Sequence, residues 1–261
     1  MRIGIIGATG WLGSALGTRA LAQGWPPEGM ALLNRAAPRD AYAPWPVTWA
    51  ADAADLCRRS EVIVLSVRPQ DFPLPGYDGA GKLVVSFMAA WSLERLAGFH
   101  PGGRVVRAMP NSGAPTGQSF TPWVAGPGLT EADRALVGRL LAVMGDAAEV
   151  ATEGQLDYLS ALSGSGAAYP ALMARAMLAH AAGQGLSDDV ARRAVASVLT
   201  SGGAIAGQVD RIDALLDTYL GYRGITAAGL TAANAAGLPQ AVAQALDAAA
   251  AHARKMTRDG A

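Results

Sequence analysis

Cysteine, histidine and lysine are scarce in this 261-residue sequence. The single cysteine, Cys57, excludes an intramolecular disulfide. The three histidines, His100, His180 and His252, lie too far apart to show the spacing of metal ligands. We therefore predict no metal site.

Charged residues are also few, at 16% of the chain, and 21 basic residues match 21 acidic ones. This balance removes the electrostatic basis for a nucleic-acid or membrane partner, and we predict neither. The sequence opens with an apolar run in place of a signal sequence, so a cytoplasmic location is expected. Hydrophobic residues make up 51% of the chain, which is enough to bury a large core.

The most informative motif is the glycine-rich turn after the first apolar run. Ile3-Gly4-Ile5-Ile6 leads directly into Gly7-Ala8-Thr9-Gly10-Trp11-Leu12-Gly13. A strand, a glycine turn and a small-residue helix, here predicted over Ser14–Gly24, are typical of folds that bind a dinucleotide pyrophosphate through backbone amides. The alternative is a turn that only joins strand to helix. The candidate cofactor-binding residues of this turn are Gly7, Thr9, Gly10, Trp11 and Leu12.

Apolar runs alternate with helical stretches through the first half of the chain, which indicates βαβ units and a parallel sheet. After about Glu153 the strand-like runs give way to alanine-rich helical segments. The predicted fold class is α/β, with an N-terminal Rossmann-like dinucleotide-binding domain (1–152) followed by an all-α domain (153–261). Further strands are predicted at Met30–Leu33, Val62–Val67, Leu83–Ser86, Val105–Met109, Trp123–Ala125 and Ala148–Val150.

The residues after the second predicted strand bear on the choice of cofactor. An acidic residue there accepts hydrogen bonds from a ribose diol, whereas a basic one pairs with a 2′-phosphate. Here the strand ends in Asn34 and Arg35, Arg39 follows closely, and no carboxylate comes before Asp40. We predict NADP(H) in preference to NAD(H), with Arg35 as a solvated loop residue the alternative.

Three later motifs carry a family resemblance. Val67-Arg68-Pro69-Gln70, Arg107-Ala108-Met109-Pro110-Asn111 and the run from Ala161 to Tyr169 (ALSGSGAAY) resemble successive motifs of pyrroline-5-carboxylate reductase. The resemblance implies a Rossmann domain, a helical dimerisation domain and NAD(P)H-dependent reduction of a cyclic imine carboxylate to proline. A homodimer or higher oligomer is therefore expected.

The resemblance also implies roles for the residues in these motifs. Val67, Arg68 and Pro69 are expected along the cofactor, and Met109 and Asn111 near the nicotinamide, where the Asn111 side chain offers a donor and an acceptor. The alternative for Pro69 and Pro110 is that each simply ends a strand.

Small residues mark a second candidate segment. Ser163, Ser165 and Gly166 are predicted at the start of a long helix, where free amides meet a cofactor or substrate anion, and a plain N-cap is the alternative. Tyr169 is expected to be a packing aromatic.

The final family motif departs from its usual form. Where the family reads Ser-Pro-Gly-Gly-Thr-Thr, positions 221–226 read Gly-Tyr-Arg-Gly-Ile-Thr, so only Gly224 and Thr226 match. Thr226 is the candidate catalytic residue, as a donor to the ring nitrogen or to a water. Tyr222, Arg223 and Gly224 are candidate substrate-binding residues, and Arg223 is either a charge-assisted carboxylate contact or a solvated side chain.

Other departures include Arg175, where the family usually has an acidic residue, and Ala90, where it usually has glycine. The first glycine loop is one residue longer than usual and resembles that of extended short-chain dehydrogenases. Those enzymes carry lysine four residues after tyrosine, and neither Lys82 nor Lys255 has that spacing.

The predicted function is therefore NADPH-dependent reduction of an imine, with 1-pyrroline-5-carboxylate as the default substrate. One alternative is reduction of another cyclic or exocyclic imine in secondary or catabolic metabolism. The other is a non-catalytic NADP-binding regulatory protein.

Overall fold

A twisted sheet organises the N-terminal part of the chain in the computed structural model, which describes residues 1–35 and 40–259. Its strands are β1 (Ile3–Ile6), β2 (Met30–Leu33), β3 (Thr48–Trp49), β4 (Val62–Leu65), β5 (Leu83–Ser86), β6 (Arg104–Ala108), β7 (Ser119–Ala125) and β8 (Gly145–Glu149). They run in the order β3-β2-β1-β4-β5-β6-β7-β8. Neighbouring strands are parallel except β6 and β7, which are antiparallel.

Helices of the N-terminal part cover both faces of this sheet. In chain order the α-helices of the described residues are α1 (Trp11–Ala22), α2 (Ala53–Arg59), α3 (Leu93–Gly98), α4 (Glu131–Ala142), α5 (Glu153–Leu159), α6 (Tyr169–Ala182), α7 (Asp188–Ala206), α8 (Ile212–Gly221), α9 (Ile225–Ala235) and α10 (Leu238–Asp259). Ile5 packs in one buried cluster with Leu16 of α1, and the adjacent Ile6 packs in another with Leu56 of α2. Because successive strand residues point to opposite faces, both faces are apolar, as a parallel sheet requires.

The predicted strands are all present, although several of their ends differ. Strand β4 stops at Leu65, and β7 begins four residues earlier than expected, at Ser119. The sequence did not predict β3, because it is only two residues long and closely follows Pro44 and Pro46. Helix α1 begins at Trp11 instead of Ser14, since Gly10 occupies the N-cap and its carbonyl accepts from the Ser14 amide at 2.8 Å.

The predicted change to helices occurs where expected. Every regular element described after β8 is helical, so the predicted fold class, α/β followed by an all-helical part, is confirmed. The chain packs as two units, one comprising Met1–Gly164 and Ala249–Ala261 and the other Ser165–Ala248. The assignment of domains to 1–152 and 153–261 stays a prediction.

The second unit exposes many apolar side chains. On α6 and α7 these include Leu172, Met173, Val190 and Val198, each at least 43% exposed. Exposed apolar residues this numerous are typical of a surface that a partner covers.

The described residues offer neither a membrane span nor a metal cluster. No helix among them has the length and apolar character needed to cross a bilayer. Likewise, no group of three His, Cys, Asp or Glu side chains in the described part of the chain is placed to hold a metal ion.

Candidate functional site

A cavity of about 570 Å³ opens where the carboxyl ends of β1, β2 and β4 meet. The strand order reverses here, because β2 and β3 lie on one side of β1 whereas β4 and the later strands lie on the other. Open α/β sheets bind their ligands at such a switch point. The volume lies within the range of small-molecule sites. Its lining comprises Ile6, Gly7, Gly10, Leu33, Asn34, Arg35, Ala51, Asp52, Ala53, Ser66, Val67, Arg68, Asp71, Leu74 and Pro75.

The glycine turn lines this cavity and packs closely against neighbouring backbone. Gly7 has a φ of +83°, and a Cβ added there would lie 2.1 Å from the Ser66 carbonyl oxygen. A Cβ on Gly13 would lie 2.2 Å from the Gly7 carbonyl oxygen, so α1 can approach β1 only with glycine at this position. Gly10 at the N-cap has no side chain to occupy the amides that begin α1, which leaves them available to an anion.

Nothing in the sequence indicated a role for Tyr42, whose side chain contacts the backbone of this turn. Tyr42 is buried, and its hydroxyl lies 2.9 Å from the Ala8 carbonyl oxygen and 3.1 Å from that of Gly13. Burial raises the pKa of Tyr42, so its hydroxyl stays protonated and can donate. A tyrosine in a proline-rich loop gives no local signal of this role, because its partners come from another part of the chain.

The structure separates the predicted residues of the turn. Gly7 and Gly10 line the cavity, whereas Thr9, Trp11 and Leu12 are not among its lining residues. The Trp11 side chain is 64% exposed beside the exposed Gly10.

Charged groups gather at one end of the cavity. Arg35 Nη2 lies 3.0 Å from Asp71 Oδ2, and Arg68 Nε donates to the same oxygen at 2.8 Å. Hydrogen bonds from Arg68, together with the charges of Arg35 and Arg68, hold the pKa of Asp71 below its usual value. Along the chain no carboxylate follows Arg35 before Asp40, but the fold brings Asp71 to it from the turn after β4. Arg39 lies outside the described residues.

The turn after β6 holds the next two predicted cofactor residues, both half-buried. Asn111 Nδ2 donates to the Ser163 carbonyl oxygen at 3.1 Å, and Asn111 Oδ1 accepts from the Gly113 amide at 2.9 Å. Both ends of the Asn111 amide are therefore engaged within the protein, which the sequence did not predict. Met109 is fixed through its backbone amide, which donates to the Pro122 carbonyl oxygen at 3.0 Å.

A buried arginine anchors this turn to the helices. Arg107, 2% exposed on β6, forms ion pairs with Glu153 and Asp157 of α5 and donates to Thr257 of α10 at 3.3 Å. The sequence presented Arg107 only as part of a motif. Its partners are 46 to 150 residues away along the chain, so no local pattern identifies them.

The segment around Ser163 corrects a prediction. Ser160–Ser165 forms a π-helical turn that continues from α5, and Gly166–Ala168 forms a 3₁₀ turn leading into α6. Ser163, Ser165 and Gly166 therefore do not begin a helix, and the prediction of free amides there is wrong because the helical run is continuous. The Ser163 hydroxyl donates to the Leu159 carbonyl oxygen at 2.8 Å. A π turn is a frequent feature of functional sites.

Residues 221–226, which differ from the usual final motif of the family, lie in the second unit where α8 ends and α9 begins. Tyr222 is the C-cap of α8 and is 80% exposed, and the next residue, Arg223, adopts a φ of +49°. Gly224 is the N-cap of α9, and Thr226 lies in its first turn with an exposed side chain. The start of α9, the Thr226 hydroxyl and the Arg223 guanidinium therefore lie within four residues of one another along the chain. Arg175 is exposed on α6.

Two family models match the chain. The model described as pyrroline-5-carboxylate reductase dimerisation matches residues 153–256, and the one described as NADP oxidoreductase coenzyme F420-dependent matches residues 2–90. A dimerisation model over the helical half indicates that this protein forms an oligomer.

Curated relatives agree with these matches. A pyrroline-5-carboxylate reductase from Thermus thermophilus is 31% identical over 78% of this chain and 79% of its own length. The reductase of the same name from a Synechocystis strain is 31% identical over 69% of this chain and 68% of its own.

Solved structures share the fold. The pyrroline-5-carboxylate reductase from Coxiella burnetii has a TM-score of 0.84 at 21% identity, and the Plasmodium falciparum pyrroline carboxylate reductase with NADP bound has 0.81 at 20%, each over 98% of both chains. A reductive aminase from Aspergillus terreus, in complex with NADPH and ethyl levulinate, has a TM-score of 0.58 at 20% identity over 99% of this chain and 94% of its own. On the strength of the matched relatives, the chain belongs to the pyrroline-5-carboxylate reductase family.

Proposed function

We propose that this protein is an NADPH-dependent reductase of a C=N bond, with 1-pyrroline-5-carboxylate as the default substrate. The observation that carries the proposal is the cavity at the ends of β1, β2 and β4, where a glycine turn, a free helix start and two guanidinium groups meet. These features suit the pyrophosphate and the 2′-phosphate of a dinucleotide. The Plasmodium relative with NADP bound and the NADP oxidoreductase model support this choice of cofactor.

In this proposal each cofactor residue has a defined task. The turn of Gly7, Thr9, Gly10, Trp11 and Leu12 holds the pyrophosphate through the amides that begin α1. Asn34 and Arg35 bind the adenosine ribose and its 2′-phosphate. The remaining residues form the wall along the cofactor towards the nicotinamide: Val67, Arg68, Pro69, Met109 and Asn111. NADPH, when bound, supplies the hydride.

The proposed substrate residues lie in two segments of the chain, residues 163–166 and the loop before α9. Ser163, Ser165 and Gly166 shape one wall, and the hydrogen bond from Asn111 to the Ser163 carbonyl ties this wall to the turn after β6. The Thr226 hydroxyl donates a hydrogen bond to the imine nitrogen. Gly224 and the first amides of α9 bind the carboxylate, and Arg223 adds a guanidinium contact, with Tyr222 closing the pocket.

Assembly forms part of the proposal. The exposed apolar side chains of α6 and α7 face a second copy, giving a homodimer or a higher oligomer. The active site is then built at or near the subunit junction. We also propose a cytoplasmic location, in keeping with a balanced charge and a single cysteine.

Steady-state oxidation of NADPH against a panel of imines tests the function. We expect turnover with 1-pyrroline-5-carboxylate or a related imino acid. Thr226→Val, which removes the hydroxyl but keeps the branched shape, should lower kcat and leave NADPH binding unchanged. Thr231→Val, at an exposed threonine later in the same helix α9, serves as the matched control. Tight NADPH binding without turnover of any imine would favour a non-catalytic NADP-binding regulator.

Reduction of a different imine is a second candidate. The observation that favours it is the loop Gly221–Thr226, where bulky Tyr222 and charged Arg223 replace small family residues. The fold shared with a reductive aminase is consistent with a wider range of C=N substrates. The imine panel decides between the candidates, because kcat/KM ranks substrates by transition-state binding.

A further inference from the structure

We propose that Asp71 is a specificity-determining residue of the nucleotide cavity. Its carboxylate lowers the preference of the site for a dinucleotide that carries a 2′-phosphate over one that carries a free ribose diol. This inference rests on the proposed use of a nicotinamide dinucleotide.

The geometry places Asp71 between the two cations of the cavity. Asp71 ends the short 3₁₀ turn Pro69–Asp71 that follows β4, whereas Arg35 follows β2. Asp71 Oδ2 lies 3.0 Å from Arg35 Nη2 and accepts from Arg68 Nε at 2.8 Å, while Oδ1 accepts from Arg68 Nη2 at 3.4 Å. The Asp71 side chain is 16% exposed, against 71% for Arg35 and 68% for Arg68. The carboxylate is therefore the enclosed member of the three.

This arrangement combines two recognition chemistries at one point. A carboxylate accepts hydrogen bonds from the ribose diol, and a guanidinium binds the 2′-phosphate. A phosphate that binds Arg35 through the face now turned to Asp71 competes with this carboxylate and is repelled by it. A free diol meets no such repulsion and has an acceptor in reach.

Asp71 can act in the opposite direction by holding Arg35 in place. That effect is small, because the Arg35 side chain is 71% exposed and ion pairs made by exposed guanidiniums contribute little to order or stability. The charge of Asp71 persists at neutral pH, since its hydrogen bonds from Arg68 favour the ionised form. Repulsion of the phosphate therefore outweighs positioning of Arg35.

The other acidic residue of the cavity has a different task. Asp52 also lines the cavity, but its side chain accepts from the Asp55 amide at 2.7 Å and so caps α2. Of the two acidic residues in the described lining, Asp71 is thus the one whose carboxylate accepts hydrogen bonds from a guanidinium.

Equilibrium titration of the purified full-length protein with NADPH, NADH and adenosine 2′,5′-bisphosphate tests the inference. We expect Asp71→Asn to tighten binding of NADPH and of the bisphosphate by about three- to tenfold at low ionic strength, and to leave NADH unchanged or weaker. The gain should shrink at high salt, because screening reduces the contribution of the removed charge. Asp71→Glu, which keeps the charge, should retain the wild-type ratio of NADH to NADPH dissociation constants.

Glu149→Gln serves as the control, because it removes one negative charge from an ion pair with Arg134 on the far edge of the sheet. An unchanged or reduced ratio of dissociation constants in Asp71→Asn, with wild-type circular dichroism, overturns the inference and leaves the proposed reductase intact. A wild-type protein that binds neither NADPH nor NADH overturns the cofactor proposal and the inference with it.

Discussion

Arg107 on β6 and Asp157 on α5 form an ion pair, with 3.5 Å between Arg107 Nη2 and Asp157 Oδ1, and both side chains are buried. This pair links the strand that leads into Met109 and Asn111 with the helix that leads into the π turn at Ser163. One buried ion pair therefore holds together the proposed cofactor wall at Met109 and Asn111 and the proposed substrate wall at Ser163.

Removal of Arg107 should be strongly destabilising. Arg107→Ala leaves the buried Asp157 and the partly buried Glu153 without their cation, a change that typically costs about 3–5 kcal/mol. Chemical denaturation measures this loss. Arg193→Ala breaks the exposed pair with Asp189 and should cost less than about 1 kcal/mol. Equal losses in the two variants would contradict the assigned role of Arg107.

Replacement of Ala90 by glycine should stabilise the protein. Ala90 is buried at a φ of +64°, in the left-handed region that costs a non-glycine residue about 1–2 kcal/mol. Part of the gain is offset by the greater chain entropy of unfolded glycine, so Ala90→Gly should stabilise by about 0.5–1 kcal/mol. The reverse change, Gly102→Ala, has the same φ of +64° in open space and should destabilise. A lower thermal midpoint in Ala90→Gly would show that packing of the buried Ala90 methyl contributes more to stability than the left-handed backbone conformation costs.

Arg35→Ala should weaken the binding of NADPH and leave the binding of NADH unchanged. A charge-assisted hydrogen bond to the 2′-phosphate contributes about 1.5–3 kcal/mol, which NADH cannot use. Fluorescence titration with both cofactors measures the difference. Arg139→Ala, outside the lining of the cavity, is the control. Equal losses for NADPH and NADH would show that Arg35 does not bind the phosphate.

The loop before α9 should set the choice of substrate. Restoring Ser-Pro-Gly-Gly-Thr-Thr over positions 221–226 should raise kcat/KM for 1-pyrroline-5-carboxylate, and Arg223→Ala should lower it for an anionic native substrate. The Kd of NADPH should stay constant in both variants. If the wild type already reduces this substrate as efficiently as the restored variant, the loop difference has no effect on specificity.

The stability of the protein should fall as the pH drops below about 6.5. Burial lowers the pKa of His100, whose ring lies 2.6 Å from the Tyr77 hydroxyl, so the folded state takes up the proton at lower pH than the unfolded state. The free energy of unfolding is therefore unaffected above the unfolded pKa and decreases below it. His100→Gln should flatten this part of the pH dependence, whereas exposed His252→Gln should leave it unchanged. Urea titrations from pH 7.5 to 5 provide the measurement, and an unaltered slope in His100→Gln would refute the assignment.

The local sequence was sufficient wherever one segment carries both signal and structure. The apolar run Ile3–Ile6 followed by Gly7 predicted a strand and a tight turn, because only glycine tolerates the φ of +83° and the contact with Ser66. It was insufficient for the helix start expected at Ser163, since serine and glycine there are equally compatible with the continuous π turn that forms.

The sequence by itself therefore determined the longer strands, the glycine turn, the change to helices after β8 and the family motifs, because these depend on neighbouring residues. Only the tertiary structure decided which distant groups meet. It brought Asp71 to Arg35, Tyr42 beneath the glycine turn, and Asp157 and Thr257 to Arg107. The physical reason is that hydrogen bonds and ion pairs depend on separation in space, which sheet order sets and which local patterning does not encode.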